Sequence, residues 1–292
     1  MRYDSCRILT VFFSFLLISE GSFAMLDIFG DLMKQYKSEI NYTRLVADLS
    51  STKDIHSCWR SKIGKQKING ETWSIYSEAS PNILGKSHAS LDLSYKSHEK
   101  FIHVEIHVFS GVGQDFMIDN AIEKMPGNSM EPIDYKVIQS NEKTIAFARE
   151  AIPRENGYSQ IFLIQSNIMV HAHAFGYDQD VKDFAYQIMD IVFDAKNKQY
   201  NSPVFTLKLS NDQPRVGEEI TISVASNQKV DHEIKLNFRD YIDDVDPTTT
   251  RTEAKIKFLK AGKYSMSLIA MDKDTLYTET LSVEVDVSSD NK

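Results

Sequence analysis

The stretch that most constrains the fold is residues 158–175, where apolar and polar residues alternate on both sides of the polar link Ser166-Asn167. Two runs of strand length joined in this way predict a tight β-hairpin, with Asn167 able to adopt a positive φ. In a two-residue turn Gln165 pairs with Ile168, and this register assigns every side chain to one face. The first face holds Ile161, Leu163, Val170, Ala172 and Ala174, and the second holds Phe162, Ile164, Met169, His171, His173 and Phe175.

The second face of this hairpin differs from the first because it carries two histidines among apolar side chains. We expect the first face to pack into the core. We interpret the second as a covered or ligand-facing surface rather than a catalytic centre. Its candidate ligand- or partner-facing residues are Phe162, Met169, His171, His173 and Phe175.

The first 24 residues have the organisation of a secretory signal peptide. Arg2 and Arg7 precede an apolar run at residues 8–18, and Ser22 and Ala24 are small residues before a cleavage point. The run is shorter than the roughly 20 apolar residues that span a bilayer. We therefore predict export to the periplasm or the exterior, with no transmembrane segment in the mature chain. The alternative is a buried amphipathic first helix.

The length of 292 residues predicts two domains after the signal peptide. Residues 25–49 have apolar residues at helical spacing, the following strands alternate with a period of two, and residues 178–196 form an amphipathic helical pattern. This order predicts an α+β N-terminal domain at residues 25–198, an antiparallel sheet with flanking helices. The polar residues 199–203, which end in a proline, are the predicted linker.

Residues 204–292 contain only short strand patterns separated by turn residues, which predicts an all-β, immunoglobulin-like sandwich. The runs Pro-Arg-Val-Gly-Glu-Glu-Ile-Thr-Ile-Ser-Val at 214–224 and Ala-Gly-Lys-Tyr-Ser-Met-Ser-Leu-Ile-Ala-Met-Asp at 261–272 resemble two strands of PKD-type, immunoglobulin-like domains of exported proteins. That resemblance implies the fold alone, because the central Trp-Asp-Phe-Gly-Asp-Gly signature of the family is absent here. In residues 25–197 the order of sheet and terminal helix is similar to that of PsbP/Mog1-like α+β domains.

Four histidines lie on two strand-like runs, with Glu105 between His103 and His107 on one run and His171 close to His173 on the other. Residues two apart on a strand point the same way, so a His-x-His pair can offer two imidazoles to one ion. If the two strands are neighbours and Glu105 faces the same pocket, three or four nitrogen and oxygen ligands from this set can converge on a zinc- or copper-class ion. One alternative is that the histidines occupy the less buried face of a sheet. Another is that they lie under the second domain with satisfied hydrogen bonds. A face that responds to pH is a further variant.

The net charge of −8 argues against nucleic acid and against an anionic membrane as partners. We recognise no catalytic motif such as Gly-x-Ser-x-Gly or a phosphate loop. The sequence therefore predicts a non-enzymatic exported binding protein without a cofactor, whose partner is an unknown protein, peptide or glycan. The alternative is a metal-binding protein or metal-dependent enzyme that uses the histidines. An acidic loop at residues 240–246 is either a calcium site or a solvated turn.

Overall fold

The computed structural model of the protein describes most residues from Trp59 to Ser289, and fewer before them. The described residues are 59–85, 88–111, 114–124, 135–139, 145–149, 158–175, 178–193 and 201–289, with Asp31, Lys34, Lys37 and Ser38. The predicted signal peptide lies outside these residues, as does most of the helix expected at residues 25–49.

Nine antiparallel strands between residues 65 and 175 form one sheet. They are β1 (Lys65–Ile68), β2 (Glu71–Glu78), β3 (Asn82–Gly85), β4 (His88–Ser97), β5 (Lys100–Phe109), β6 (Tyr135–Gln139), β7 (Ile145–Arg149), β8 (Tyr158–Gln165) and β9 (Ile168–Phe175). The order is β1-β2-β4-β5-β9-β8-β7-β6, and β3 pairs with the first residues of β4, from His88 to Ser90. Most neighbours are consecutive in the chain. The exceptions are the β2–β4 pair and the β5–β9 pair, and the second of these joins the two halves of the sheet.

The hairpin of β8 and β9 has the predicted register, since Gln165 pairs with Ile168 around a two-residue turn. The positive φ of 52° lies at Ser166 rather than at Asn167. The Asn167 side chain instead donates a hydrogen bond of 3.1 Å to the carbonyl of Phe109, at the end of β5. The turn is thereby fixed to the neighbouring strand as well as to its own hairpin.

The longer of the two α-helices whose bounds are described, α2 (Asp178–Phe193), covers one face of this sheet. It presents a buried apolar stripe made of Val181, Phe184, Ala185, Ile188, Met189 and Val192. The stripe packs in one core with Ile161, Leu163 and Val170 of the hairpin, which confirms the predicted packing of its first face. The Phe184 ring lies 4.6 Å from that of Tyr95 and 5.8 Å from that of Trp73. Burial of each large apolar side chain stabilises the fold by about 1.5–3 kcal/mol.

The predicted α+β class is wrong. Strands hold 57% of the described residues, and the α-helices whose bounds are described are short: α1 (Gln114–Lys124) and α2. The reason lies in short strands such as β1 and β3, which are four residues each and too brief to show a periodicity. They widen the sheet, so that the N-terminal part of the chain is mostly β. In the described part of the chain no helix has the length and apolarity needed to cross a membrane.

The C-terminal strands form an immunoglobulin-like sandwich. They are β10 (Phe205–Leu209), β11 (Glu219–Ser226), β12 (His232–Asn237), β13 (Val245–Thr249), β14 (Glu253–Phe258), β15 (Gly262–Asp272) and β16 (Thr278–Val287). One sheet has the order β10-β11-β14-β13 and the other β12-β15-β16. In chain order this is the ABED and CFG arrangement of the seven-stranded immunoglobulin fold. The two sheets enclose a core of their own, around Ile222, Phe258 and Leu268.

The turn between β15 and β16 joins the sandwich to the large sheet. Leu276 at its tip has a positive φ of 58°, is fully buried, and belongs to the core that α2 covers. Ile269 and Met271 of β15 belong to the same core. The backbone N–H of Thr278 donates a hydrogen bond of 3.2 Å to Ser110 Oγ, directly after β5. The sandwich therefore completes the apolar core of the sheet at one end.

Candidate metal centre

The two strands that carry the histidine pattern are direct neighbours. Strands β5 and β9 are antiparallel, with His103 opposite His173, Glu105 opposite His171, and His107 opposite Met169. Because side chains alternate along a strand, these residues all lie on the face opposite α2. The condition that the sequence left open, adjacency of the two strands, is thus met.

The neighbouring strands extend this face into a grid of side chains. On the β4 side, Ser94, Asp92 and Ser90 stand opposite His103, Glu105 and His107, respectively. On the β8 side, Gln160 stands opposite His173 and Phe162 opposite His171. Polar groups therefore occupy the centre of a sheet whose other face is apolar.

Three of the predicted ligands converge. One ligand atom from each of Glu105, His171 and His173 lies within 4.8 Å of the other two. Within the described part of the chain, this is the one group of three His, Cys, Asp or Glu residues that meets this limit. The aspartates of the acidic loop at 240–246 form no such group among the described residues, and Lys260 pairs with Asp244 there.

The His171 ring is held on two sides and buried, with 6% of its surface exposed. It stacks on Phe162 with a centroid separation of 4.1 Å and an interplanar angle of 3°. Its Nε2 lies 3.3 Å from Gln160 Oε1, the side-chain amide oxygen. Because this oxygen can only accept a hydrogen bond, Nε2 carries a proton. The other ring nitrogen, Nδ1, is buried, has no hydrogen-bond partner, and lies 3.5 Å from Glu105 Oε1. In a neutral ring that nitrogen is a bare lone pair which faces a carboxylate oxygen.

The second oxygen of Glu105 contacts one buried histidine, which in turn contacts another. His107 Nε2 lies 3.0 Å from Glu105 Oε2, and His107 Nδ1 lies 2.9 Å from His88 Nε2. The His88 ring stacks on Phe109 at 4.2 Å. His107 is therefore not part of the converging group but contacts it through Glu105.

His88, which contacts this group through His107, is not among the candidate residues of the sequence analysis. The alternation of His88, Ser90, Asp92 and Ser94 was the signal that could have identified it.

A small cleft of about 250 Å³ opens beside the converging side chains. It is lined by Ser77, Ala79, Asp92, Leu93, Ser94, His103, Val104, Glu105 and His173. His103 is exposed at this cleft, stacks on His173 at 5.2 Å, and shares a hydrogen bond of 2.8 Å with Ser94 Oγ through Nδ1. Solvent therefore reaches the group from the His103 side, whereas His171 lies on the buried side.

The predicted ligand- or partner-facing residues differ in their exposure. Phe162 and Met169 are fully buried and His171 nearly so, whereas His173 is half-buried at the cleft. The side chain of Phe175 lies outside the described residues. Among the described members of this set, His173 is the one that lines the cleft.

Comparison with known proteins gives no family. No protein-family model matches the chain, and no curated protein matches it. Among solved structures, the tandem Ig repeats of Dlar are 11% identical with a TM-score of 0.23, covering 75% of this chain and 99% of that one. A chimeric titin Z1Z2 with a KLER exogenous peptide from decorin is 9% identical with a TM-score of 0.20, covering 76% and 98%.

A third solved structure is a SusE-like, surface-located polysaccharide-binding protein from the Bacteroides thetaiotaomicron heparin utilisation locus. It is 10% identical with a TM-score of 0.21 and covers 74% of this chain and 36% of that one. TM-scores of this size carry no functional argument. The immunoglobulin-like assignment rests on the strand order of the sandwich itself, and the similarity to PsbP/Mog1-like domains stays a prediction.

Proposed function

We propose that this protein binds a zinc- or copper-class ion through Glu105, His171 and His173. The observation that carries the proposal is the buried atom His171 Nδ1, which lies 3.5 Å from Glu105 Oε1, with the His173 ring beside them. Two acceptors that face each other where one of them is shielded from water repel unless a cation or a proton lies between them. A metal ion satisfies both at once.

The spacing and the chemistry of the three ligands fit such an ion. Zinc ligands at about 2.0–2.3 Å in a tetrahedron stand about 3.3–3.7 Å from one another. The His171–Glu105 separation of 3.5 Å already has this value, and the ligand atom of His173 lies within 4.8 Å of both, so it needs to move by at most about an ångström. Two imidazoles with one carboxylate favour zinc or copper, whereas calcium and magnesium favour all-oxygen sets.

The test is metal analysis of the purified mature protein, followed by zinc and copper titration by calorimetry. We expect one ion per chain, and a loss of affinity of at least about 100-fold in His171→Ala, because a ligand contributes more than its outer-shell partners. His98→Asn is the matched control. His98 is an exposed histidine with a φ of 52° in the turn between β4 and β5, a conformation that Asn tolerates.

A metal-free protein whose unfolding temperature ignores added zinc and copper contradicts the proposal. An ion held by the ligands must raise stability, by about 2.7 kcal/mol when its concentration is 100 times Kd. Equal binding by His171→Ala and the wild type assigns the ion to another place. In that case the contact between His171 and Glu105 has a structural role only.

A metal-dependent hydrolase is the second candidate, favoured by the cleft. Catalytic zinc sites have three protein ligands and one open position, and here two of the three residues line a cleft that His103 and Asp92 also line. The expected readout is zinc-dependent cleavage of an activated ester, lost in His103→Ala if that ring moves the proton. If the zinc-loaded protein has no such activity, the hydrolase candidate is contradicted and only the metal-binding role remains.

We further propose that residues 1–24 direct export and that the sandwich is an interaction or spacer module for a protein, peptide or glycan partner. The first proposal is supported by the basic, apolar and small-residue order of the N-terminus. The second is supported by a PKD-like sequence pattern and a separate core. N-terminal sequencing of the exported protein tests the first, with Met25 as the expected first residue.

A further inference from the structure

We infer that His88 and His107 are positioning residues that hold Glu105 as a one-oxygen ligand and thereby select an ion of low coordination number. The inference rests on the proposed metal site and adds its ion selectivity. It starts from the hydrogen-bonded series His88, His107 and Glu105, with distances of 2.9 Å and 3.0 Å. None of the atoms in this series belongs to the converging group except the carboxylate itself.

The carboxylate fixes the direction of this series. Glu105 Oε2 only accepts, so His107 Nε2 must donate. A neutral His107 then has a bare Nδ1, which can only accept, and His88 Nε2 must donate to it. The series thus runs as donor to acceptor from His88 to Glu105. Both rings have their tautomers set by the geometry.

Both histidines are held in place by the sheet. His107 is 1% exposed and His88 is 7% exposed, and they lie on the adjacent strands β5 and β4. The His88 ring stacks on Phe109, and its centroid lies 5.1 Å from that of His107. A buried ring between packed neighbours cannot rotate without opening the core. The donor to Glu105 Oε2 is therefore rigid.

A rigid donor on one oxygen leaves the other for the ion. With Oε2 bound to His107, Glu105 presents Oε1 towards His171, and a two-oxygen grip on a metal would compete with the 3.0 Å hydrogen bond for the lone pairs of Oε2. Zinc accepts one carboxylate oxygen in a four-ligand shell, while calcium and manganese favour more oxygen ligands. His107 therefore raises the preference for zinc over manganese, as outer-shell partners of metal ligands generally tune affinity.

The experiment compares zinc and manganese affinities of the full chain, measured by competition with a chromophoric chelator. In His107→Leu the donor is lost, and we expect a 10–100-fold loss of zinc affinity and a smaller loss for manganese, so that the zinc/manganese ratio falls about tenfold. In His107→Gln the side-chain amide supplies an N–H to Glu105 and an oxygen to accept from His88. We expect this variant to retain zinc affinity within about threefold.

His88→Leu provides a second route should His107→Leu fail to fold. Leucine packs against Phe109, and the loss of the His88 donor frees the tautomer of His107, so we expect a several-fold loss of zinc affinity. Circular dichroism of each variant establishes that it is folded. A cobalt-substituted sample adds a readout that packing does not move, because a change from one-oxygen to two-oxygen binding alters the visible spectrum of the ion.

The outcomes separate the two proposals. If the wild type binds no zinc, the metal site and its selectivity both fail. If the wild type binds zinc at Glu105 and folded His107→Leu has the same zinc/manganese ratio, the metal site stands and the positioning role is contradicted. An equal loss in His107→Gln and His107→Leu also contradicts it, because the Gln amide restores the donor.

Discussion

The two faces of the nine-stranded sheet are built by the same strands but follow different physical rules. On β5 and β9, Val104, Ile106 and Val170 face α2, while Glu105 and His171 face the other side. The apolar face is stabilised by burial, which depends on volume and hardly on direction. The polar face depends on direction, because each ring nitrogen and carboxylate oxygen requires its own partner. The second face is therefore the candidate for function, because apolar burial does not account for the placement of its histidines and its carboxylate.

The largest expected effect of a substitution lies on the apolar face. Phe184 is fully buried between Tyr95 and Trp73, so Phe184→Ala should cost about 3–5 kcal/mol of unfolding free energy. Urea unfolding followed by circular dichroism measures it, and Phe184→Leu is the control, with a smaller loss. A cost below about 1 kcal/mol contradicts the packing of α2 on the sheet.

The second effect concerns the sandwich turn that completes the apolar face. Leu276→Ala should cost about 2–5 kcal/mol, because a fully buried side chain leaves a cavity between two packed parts of the molecule. The exposed Leu259, 49% exposed, is the control position, where Leu259→Ala should stay within about 0.5 kcal/mol. Similar losses at both positions would show that Leu276 is not packed in the core.

The same turn sharpens the proposed division into domains at residues 25–198 and 204–292. Expressed alone, residues 202–292 should fold, because the sandwich has its own core. Residues 25–198 should fold with a lower unfolding temperature, since they lose the contacts of Ile269, Met271 and Leu276. Aggregation of both fragments in a solubility and circular dichroism assay contradicts the boundary.

A substitution on the polar face should change zinc binding strongly and the free energy of unfolding only slightly. In the metal-free protein we expect Glu105→Gln to change stability by no more than about 1 kcal/mol, because the amide accepts from His107 and donates to His171 Nδ1. The same variant should lose zinc binding. Thermal unfolding with and without zinc measures both. A loss of stability as large as that of Phe184→Ala would mean that the polar face is structural.

The smallest expected change in unfolding free energy concerns Asp272, a buried carboxylate that lies away from the histidines. Asp272 is fully buried beside the turn of β15 and β16, and burial raises its pKa above the usual value. Because the pKa of Asp272 is raised in the folded protein, its favourable contribution to the free energy of unfolding is fully present below the unfolded pKa of about 3.9. This contribution is lost as the pH rises through the folded pKa. Asp272→Asn should therefore be less destabilising at neutral pH than near pH 4.

A pH series of urea unfolding checks this prediction. Asp272 accepts bonds from the Asp274 backbone N–H at 3.0 Å and from Thr275 Oγ1 at 2.8 Å, and Asn keeps one acceptor. We expect the Asn variant to have a flatter pH dependence in the acid range than the wild type. An identical pH dependence contradicts the raised pKa.

Local pattern predicted the hairpin, its register and the apolar stripe of α2, because each depends on neighbours within a few residues. The pairing of β5 with β9 could not be predicted, since about 60 residues separate His107 from Met169, and loop closure over that distance leaves no local signal. The fold class was wrong because strands of four residues show no periodicity. The convergence of Glu105, His171 and His173 required that pairing, so the site was predicted only conditionally.

The β5–β9 pair also sets the time at which the site can exist during folding. Glu105 and His171 come together only when the two halves of the sheet join, and pairings between distant segments of a chain are slow to form. An ion that needs both residues cannot assist the earlier hairpins. In a refolding experiment, the appearance of zinc binding should therefore coincide with the last rise in the β-sheet signal of circular dichroism. Zinc binding would then report when β5 pairs with β9.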